Sequence, residues 1–178
     1  MGHNVGPMTN VLKPFLDRWR LCALLVAAAM LATAHAFETF GGYAPCTLCL
    51  RQREVYWTIL GLSAAFMVLI RLPGGPRWRE ATCWVLGLAF LVGAGVAVYH
   101  AGAEWKFWPG PEACASTGAT VDAGDMAAFL GGEKVRPPAC DEAPWVFAGL
   151  SMAGWNAVIS VVLAVLSAVA ALRERTKR

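Results

Sequence analysis

Four apolar stretches constrain this chain more than anything else in it: about 21–37, 55–70, 81–99 and 155–172. Each is close to the ~17–25 residues that a helix needs to cross a hydrocarbon core of ~30 Å. Lipid offers no hydrogen bonds, so a segment that crosses it must satisfy its own backbone, and a helix does so. The second stretch is short and must borrow residues from the Cys49–Glu54 turn. A soluble helical bundle would show polar helix faces, and these segments show almost none. Hydrophobic residues make up 57% of the 178-residue chain, against roughly 45–50% in soluble domains. The predicted fold is an all-α membrane protein, a single four-transmembrane-helix bundle over residues 1–178.

The charges give this bundle an orientation. Lys13, Arg18 and Arg20 precede the first stretch, and Arg71, Arg77 and Arg79 lie between the second and third. Arg173, Arg175, Lys177 and Arg178 follow the fourth. The long loop, about 100–154, has only Lys106, Lys134 and Arg136 against Glu104, Glu112, Asp122, Asp125, Glu133, Asp141 and Glu142. Lys and Arg in short loops favour the cytoplasmic side. Both termini are therefore expected in the cytoplasm, and the loops at about 38–54 and 100–154 outside. Nucleic-acid binding is not expected, because the basic residues form small groups that each flank a span. Lys13–Arg20, the apolar run and Ala34-His35-Ala36 imitate a signal peptide with its cleavage site. Retention is expected, since losing the first span would put the basic tail outside.

This topology sorts the six cysteines. Cys46, Cys49, Cys114 and Cys140 fall on the outer side, which in a bacterial inner membrane permits disulfides. Cys22 and Cys83 fall near the inner ends of their spans and read as small apolar filler. Cys46-Thr47-Leu48-Cys49 opens the second span, so a dithiol is expected at the membrane surface. Pro45 suits the first position of a helix. That would put Cys46 in the first turn, where the helix dipole favours a thiolate. A zinc site would need a second pair at finger spacing, and Cys114 and Cys140 are far apart. A c-type haem attachment would need His where Leu50 stands. No metal or haem is expected, while a static structural disulfide stays open as an alternative.

Arg53 follows Cys49 by four residues, so the two share a helix face. A guanidinium there would stabilise a Cys49 thiolate or donate to a carbonyl or quinone oxygen; the plainer reading is an interfacial arginine reaching water. Arg51 faces elsewhere. Cys114 and Cys140 lie in a Pro-, Gly- and Ala-rich loop whose segment Asp122–Leu130 reads as a short interfacial helix, with Asp122 as cap. A disulfide closing that loop would be open to an incoming thiolate, or would merely staple it. Tyr99 and Trp105–Trp108 read as an interfacial belt. His100 beside them is a candidate headgroup ligand, and His35 a weaker one. Asn156 in the fourth span is expected to hydrogen-bond between helices.

Four spans, Pro-Cys-x-x-Cys-x-x-x-Arg opening the second and a separated cysteine pair in the last outer loop together resemble the DsbB family. These are bacterial inner-membrane disulfide bond formation proteins. The run from Cys140 through Pro144-Trp145 to Met152 is also similar to that family. The resemblance implies catalysis by Cys46, Cys49, Cys114 and Cys140. It implies a periplasmic DsbA-like thioredoxin-fold partner whose thiolate attacks the Cys114–Cys140 disulfide at Cys114. Cys140 then exchanges with Cys46, and Cys49 passes electrons to membrane quinone, ubiquinone or menaquinone, beside Arg53. His100 and Met152 are the further quinone-side candidates that it implies. Vitamin K epoxide reductases also use a four-helix bundle, but there the loop cysteines precede the Cys-x-x-Cys pair. A membrane scaffold or transporter with structural disulfides is the alternative of another class; transporters usually carry charged groups at mid-membrane, and few are present.

Overall fold

The computed structural model describes residues 13–111 and 140–177. A helical turn at 13–17 leads into helix α1, Trp19–Thr39. Helix α2 is Thr47–Leu69, and after a 3-10 turn at Gly75–Trp78 comes α3, Arg79–Glu104. Two short strands, β1 (Val146–Phe147) and β2 (Leu150–Ser151), precede α4, Met152–Thr176. Cys114 and the expected interfacial helix at Asp122–Leu130 lie outside the described residues.

α1, the continuous Gly75–Glu104 segment and α4 are long and apolar enough to cross a membrane. Their outer faces expose Leu25, Leu88, Leu91, Val92, Val161, Val162 and Val165. So continuous an apolar surface fits lipid rather than water. α2 begins at Thr47 rather than near residue 55. Its polar first turns, Arg51-Gln52-Arg53-Glu54, are part of the helix instead of a turn before it.

Small residues set how closely the helices approach. At Gly87 in α3, a Cβ would come within 3.1 Å of Ser167 Cβ on α4. At Gly93 it would meet Val55 Cγ1 of α2 at 3.2 Å. Such residues let helices pack without a bulky side chain between their backbones. Ile59, Cys83, Leu86, Phe90 and Ala171 fill the interior.

Two helix ends and one hairpin position the functional residues. Cys46 is the N-cap of α2, with extended backbone, and its Sγ accepts from Cys49 N–H. The expected placement of Cys46 within the first turn is thus corrected: Pro45 precedes the cap. α3 ends later than expected, at Glu104, so His100 is helical. Phe107 N–H donates to Gly102 O and Lys106 N–H to Ala103 O. This is a Schellman closure with Lys106, at φ 61°, in the left-handed position that glycine usually takes. The strands pair Val146 with Ser151 and Phe147 with Leu150 through a turn whose central residues, Ala148 and Gly149, both have positive φ. That sense of turn matches the natural twist of a hairpin. It delivers Ser151 as the N-cap of α4, its hydroxyl accepting from Gly154 N–H at 3.0 Å.

Candidate active site

Cys46 Sγ and Cys49 Sγ lie 3.1 Å apart as free thiols, well beyond a disulfide bond of ~2.05 Å. The helix cap brings them together, because the N-cap side chain turns back to the backbone of the third residue. Cys46 is buried at 4% exposure and packs with Leu48, Cys49 and Cys140. Cys140 is fully buried and disulfide-bonded, and its Sγ is 3.3 Å from Thr47 Oγ1. Lys106 Nζ donates to Asp141 at 2.6 Å, tying the chain next to Cys140 to the end of α3.

The two cysteines differ electrostatically. The hydrogen bond with Cys49 lowers the Cys46 pKa to about 4, helped by His100 and by the Cys49 N–H, against the opposing effect of burial. Cys49, in the first turn of α2, has no contact with the imidazole among the hydrogen bonds of the described residues, and Cys46 does. A thiolate on Cys46 is the favoured form of that sulfur in the reduced pair.

His100 reaches Cys46 from α3, with Nε2 3.6 Å from Sγ. Its Nδ1 faces Gln52 Nε2 at 3.0 Å. Gln52 Oε1 accepts from Asn156 Nδ2 at 2.7 Å, and Asn156 Oδ1 accepts from the Tyr56 hydroxyl. Tyr56 also bonds Ser160 at 3.0 Å. Glu104 Oε1 is 3.7 Å from the same Nε2, and Ser151 donates to the other carboxylate oxygen. Ser151 thus caps α4 and orients Glu104 with one hydroxyl.

On its far side Cys49 opens into a cavity of about 390 Å³ between α1, α2, α4 and the hairpin. Phe37, Trp145, Phe147, Trp155, Leu31 and Ile159 give it apolar walls, and Gln52, Arg53, Tyr56 and Asn156 its polar groups. Met152 also lines it. Arg53 Nη1 donates to Glu38 at 2.5 Å and Nη2 to Ala34 O at 3.2 Å, both on α1. Glu38 is also 3.7 Å from His35. Arg51 pairs with Glu54 at the exposed surface.

The structure therefore gathers Cys46, Cys49, Cys140 and His100 on one side of the α2 cap. Cys49, Arg53 and Met152 meet at the cavity, and Cys114 lies outside the described residues. Asn156 makes the expected bond between helices. The sequence reading missed Gln52, Tyr56, Glu104 and Ser151. A local signal existed for some of them: Gln52 and Tyr56 continue the face of Cys49 at helical spacing, and Glu104 follows His100 by one turn.

A bundle of membrane-length helices that holds a reactive dithiol between a buried disulfide cysteine and an apolar cavity belongs to the class of membrane thiol–disulfide oxidoreductases. The sequence profile of the family described as disulfide bond formation protein DsbB matches residues 17–170. Disulfide bond formation protein B of Marinobacter nauticus is 33% identical over 170 residues, covering 91% of this chain and 96% of that protein. The chain belongs to the DsbB family. It is a multi-pass membrane oxidoreductase of disulfide bond formation.

Proposed function

We propose that this chain is a thiol:quinone oxidoreductase that reoxidises a DsbA-like dithiol protein in the periplasm and sends the electrons to membrane quinone, ubiquinone or menaquinone. The observation that carries this reading is the two-sided setting of the Cys46–Cys49 pair. Cys46 packs on disulfide-bonded Cys140, and Cys49 opens into the apolar cavity. In this reading α2 crosses the membrane as the second of four spans, both termini are cytoplasmic, and the cap of α2 lies at the periplasmic face of the inner membrane.

In this reading Cys140 pairs with Cys114, the loop cysteine that the family chemistry gives it as partner. A partner thiolate attacks Cys114 Sγ, and Cys140 leaves as a thiolate. Cys140 then attacks Cys46 of an oxidised Cys46–Cys49 pair, and Cys49 leaves as a thiolate facing the cavity. Exchange of this kind runs through mixed disulfides and needs an accessible sulfur and a stable leaving thiolate. The partner's second thiol then frees Cys114, which attacks Cys140 and releases Cys46 as the thiolate that His100 and the Cys49 N–H stabilise.

The cavity fits a quinone headgroup. Flat aromatic walls suit a ring, and a few polar groups suit its carbonyl oxygens. Arg53, Gln52, Tyr56 and Asn156 would hold it, with Met152 and Trp155 at its side. When bound, a quinone supplies an acceptor for two electrons and two protons. Arg53 is held by Glu38 and Ala34 O, so its fork is oriented in advance. His100 serves Cys46 through its contact with Sγ.

The test is loss of ubiquinone absorbance when purified protein meets a reduced DsbA-like partner. Rapid loss is expected, absent in Cys49→Ser. Arg53→Ala should raise the quinone KM by about 10- to 100-fold, the worth of a charged hydrogen bond. No loss with several quinones and partners would move the scaffold or transporter reading forward.

A further inference from the structure

The two thiols and the imidazole are close enough to act together in a second way. Cys46 Sγ, Cys49 Sγ and a ring nitrogen of His100 all lie within 4.8 Å of one another. Two thiolates and one imidazole on converging helices are a preferred donor set for a zinc-type ion, which takes sulfur at ~2.3 Å and nitrogen at ~2.0–2.1 Å in tetrahedral geometry. Those bond lengths separate the donor atoms by about 3.5–3.8 Å. The sulfurs stand at 3.1 Å, and Cys46 Sγ at 3.6 Å from Nε2. Small side-chain rotations therefore complete the arrangement.

We propose that the reduced Cys46–Cys49 dithiol and His100 form a site for a thiophilic divalent cation of the zinc type, and that the site exists only while the dithiol is reduced. It is a ligand site that competes with the chemistry, not the seat of a resident cofactor. Binding moves no electrons: the thiol protons go to solvent and two S–metal bonds form. Disulfide formation needs the same two sulfurs, so an occupied site cannot be oxidised until the cation leaves.

The surroundings favour the cation. Glu104 Oε1 lies 3.7 Å from the same Nε2 that faces Cys46, which puts a carboxyl oxygen on the side where the ion would sit, and Ser151 holds its other oxygen. A ligating imidazole is usually held through its other ring nitrogen, and here that nitrogen, Nδ1, faces Gln52 at 3.0 Å. Coordination through Nε2 requires the other ring nitrogen to carry the proton and donate it. Gln52 accepts that proton if its amide reverses, and Asn156 reverses with it. The chain ends at Tyr56 and Ser160, hydroxyls in a contact where either can donate. Reversal gives up the 3.3 Å bond from Ser160 Oγ to Asn156 Oδ1, while Gln52, Asn156 and Tyr56 each keep a partner. The sequence concealed this site because its third ligand stands on α3, more than fifty positions from the Cys-x-x-Cys pair.

The proposal is independent of the quinone reading, and its test needs neither quinone nor partner. The full-length protein in detergent is reduced, freed of reductant and titrated with Co²⁺, then with Zn²⁺. A sulfur-to-cobalt charge-transfer band should saturate at one ion per chain and be displaced by Zn²⁺. The same protein with Cys46 and Cys49 oxidised should show no band. Cys46→Ser should lose it, and His100→Gln should weaken binding by at least about tenfold. The Cys22→Ser/Cys83→Ser double variant should keep it. A missing band in the reduced wild-type protein would overturn the proposal. So would an equal band in the oxidised protein, or a band that needs Cys22 or Cys83.

Discussion

Cys46 and Cys83 are both sealed from solvent, at 4% and 0% exposure, yet they occupy opposite kinds of place. Cys83 sits in the apolar interior with Leu86, Phe90 and Ala171. Cys46 caps a helix, touches a second thiol and an imidazole, and packs on a disulfide-bonded cysteine. The polar groups around the two differ as well. At the Cys83 end, buried Arg20 donates to Thr82 and to Arg79 O, and Lys177 bridges Asp17 and Glu174. Those contacts fasten helix ends to one another. At the Cys46 end, Gln52, Tyr56, Glu104 and Asn156 converge on the thiols and the cavity instead. Burial alone therefore does not make a cysteine inert; the donors that face its sulfur decide whether a thiolate is stable there.

The largest expected effect breaks this comparison if it is wrong. Cys46→Ala should reduce oxidation of a dithiol partner to the uncatalysed background, whereas the Cys22→Ala/Cys83→Ala double variant should keep the wild-type rate. Equal losses in both would mean that cysteines at the two ends share a role. The next effect concerns pH. The reduced protein should gain one thiolate, read by ultraviolet absorbance, as pH rises through about 4, where the lowered Cys46 pKa lies. Below that pH the sulfur is protonated and exchange should slow. Removing the imidazole in His100→Ala takes away one of the lowering influences, so the midpoint should move up.

A smaller effect compares the polar networks. Tyr56→Phe removes the hydroxyl shared by Asn156 and Ser160 and should cost about 1–3 kcal/mol of unfolding free energy, because buried partners are left unsatisfied. Trp19→Phe at the other end removes a single bond to Ser167 Oγ and should cost less hydrogen-bond energy, about 0.5–1.5 kcal/mol. Denaturant titration in detergent micelles would rank the two. Least of all, Cys22→Ser at a half-exposed position should change stability by no more than about 0.5 kcal/mol.

How much of this could be read from the chain alone follows from the range of each interaction. Helices α1, α3 and α4 come within a few residues of their apolar runs, because hydrophobicity and backbone satisfaction in lipid are local properties. The start of α2 was less legible. A cysteine cap and four polar residues look like a turn until the helix behind them is seen. The Cys-x-x-Cys motif and its arginine were visible at once. By sequence Glu104 belongs with the acids of the long loop, yet the structure buries it at the end of α3 beside His100. Its partners Ser151 and His100 are brought to it by the packing of α3 on α4, which no spacing in the sequence encodes. Its spacing makes Arg53 a companion of Cys49, and only the structure shows its charge answered by Glu38 on another helix.

The cap of α2 has a mechanical consequence. The sulfur that closes this helix is the sulfur that changes bonding partner whenever the dithiol is oxidised or exchanged. A new covalent bond to Cys46 redirects the lone pairs that now receive the Cys49 N–H, so the hold on the opening turn is expected to change with the redox state. Secondary structure and electron count share an atom here. The end of a helix becomes a latch, and the backbone amide protection of Thr47, Leu48 and Cys49 becomes a record of whether it is shut.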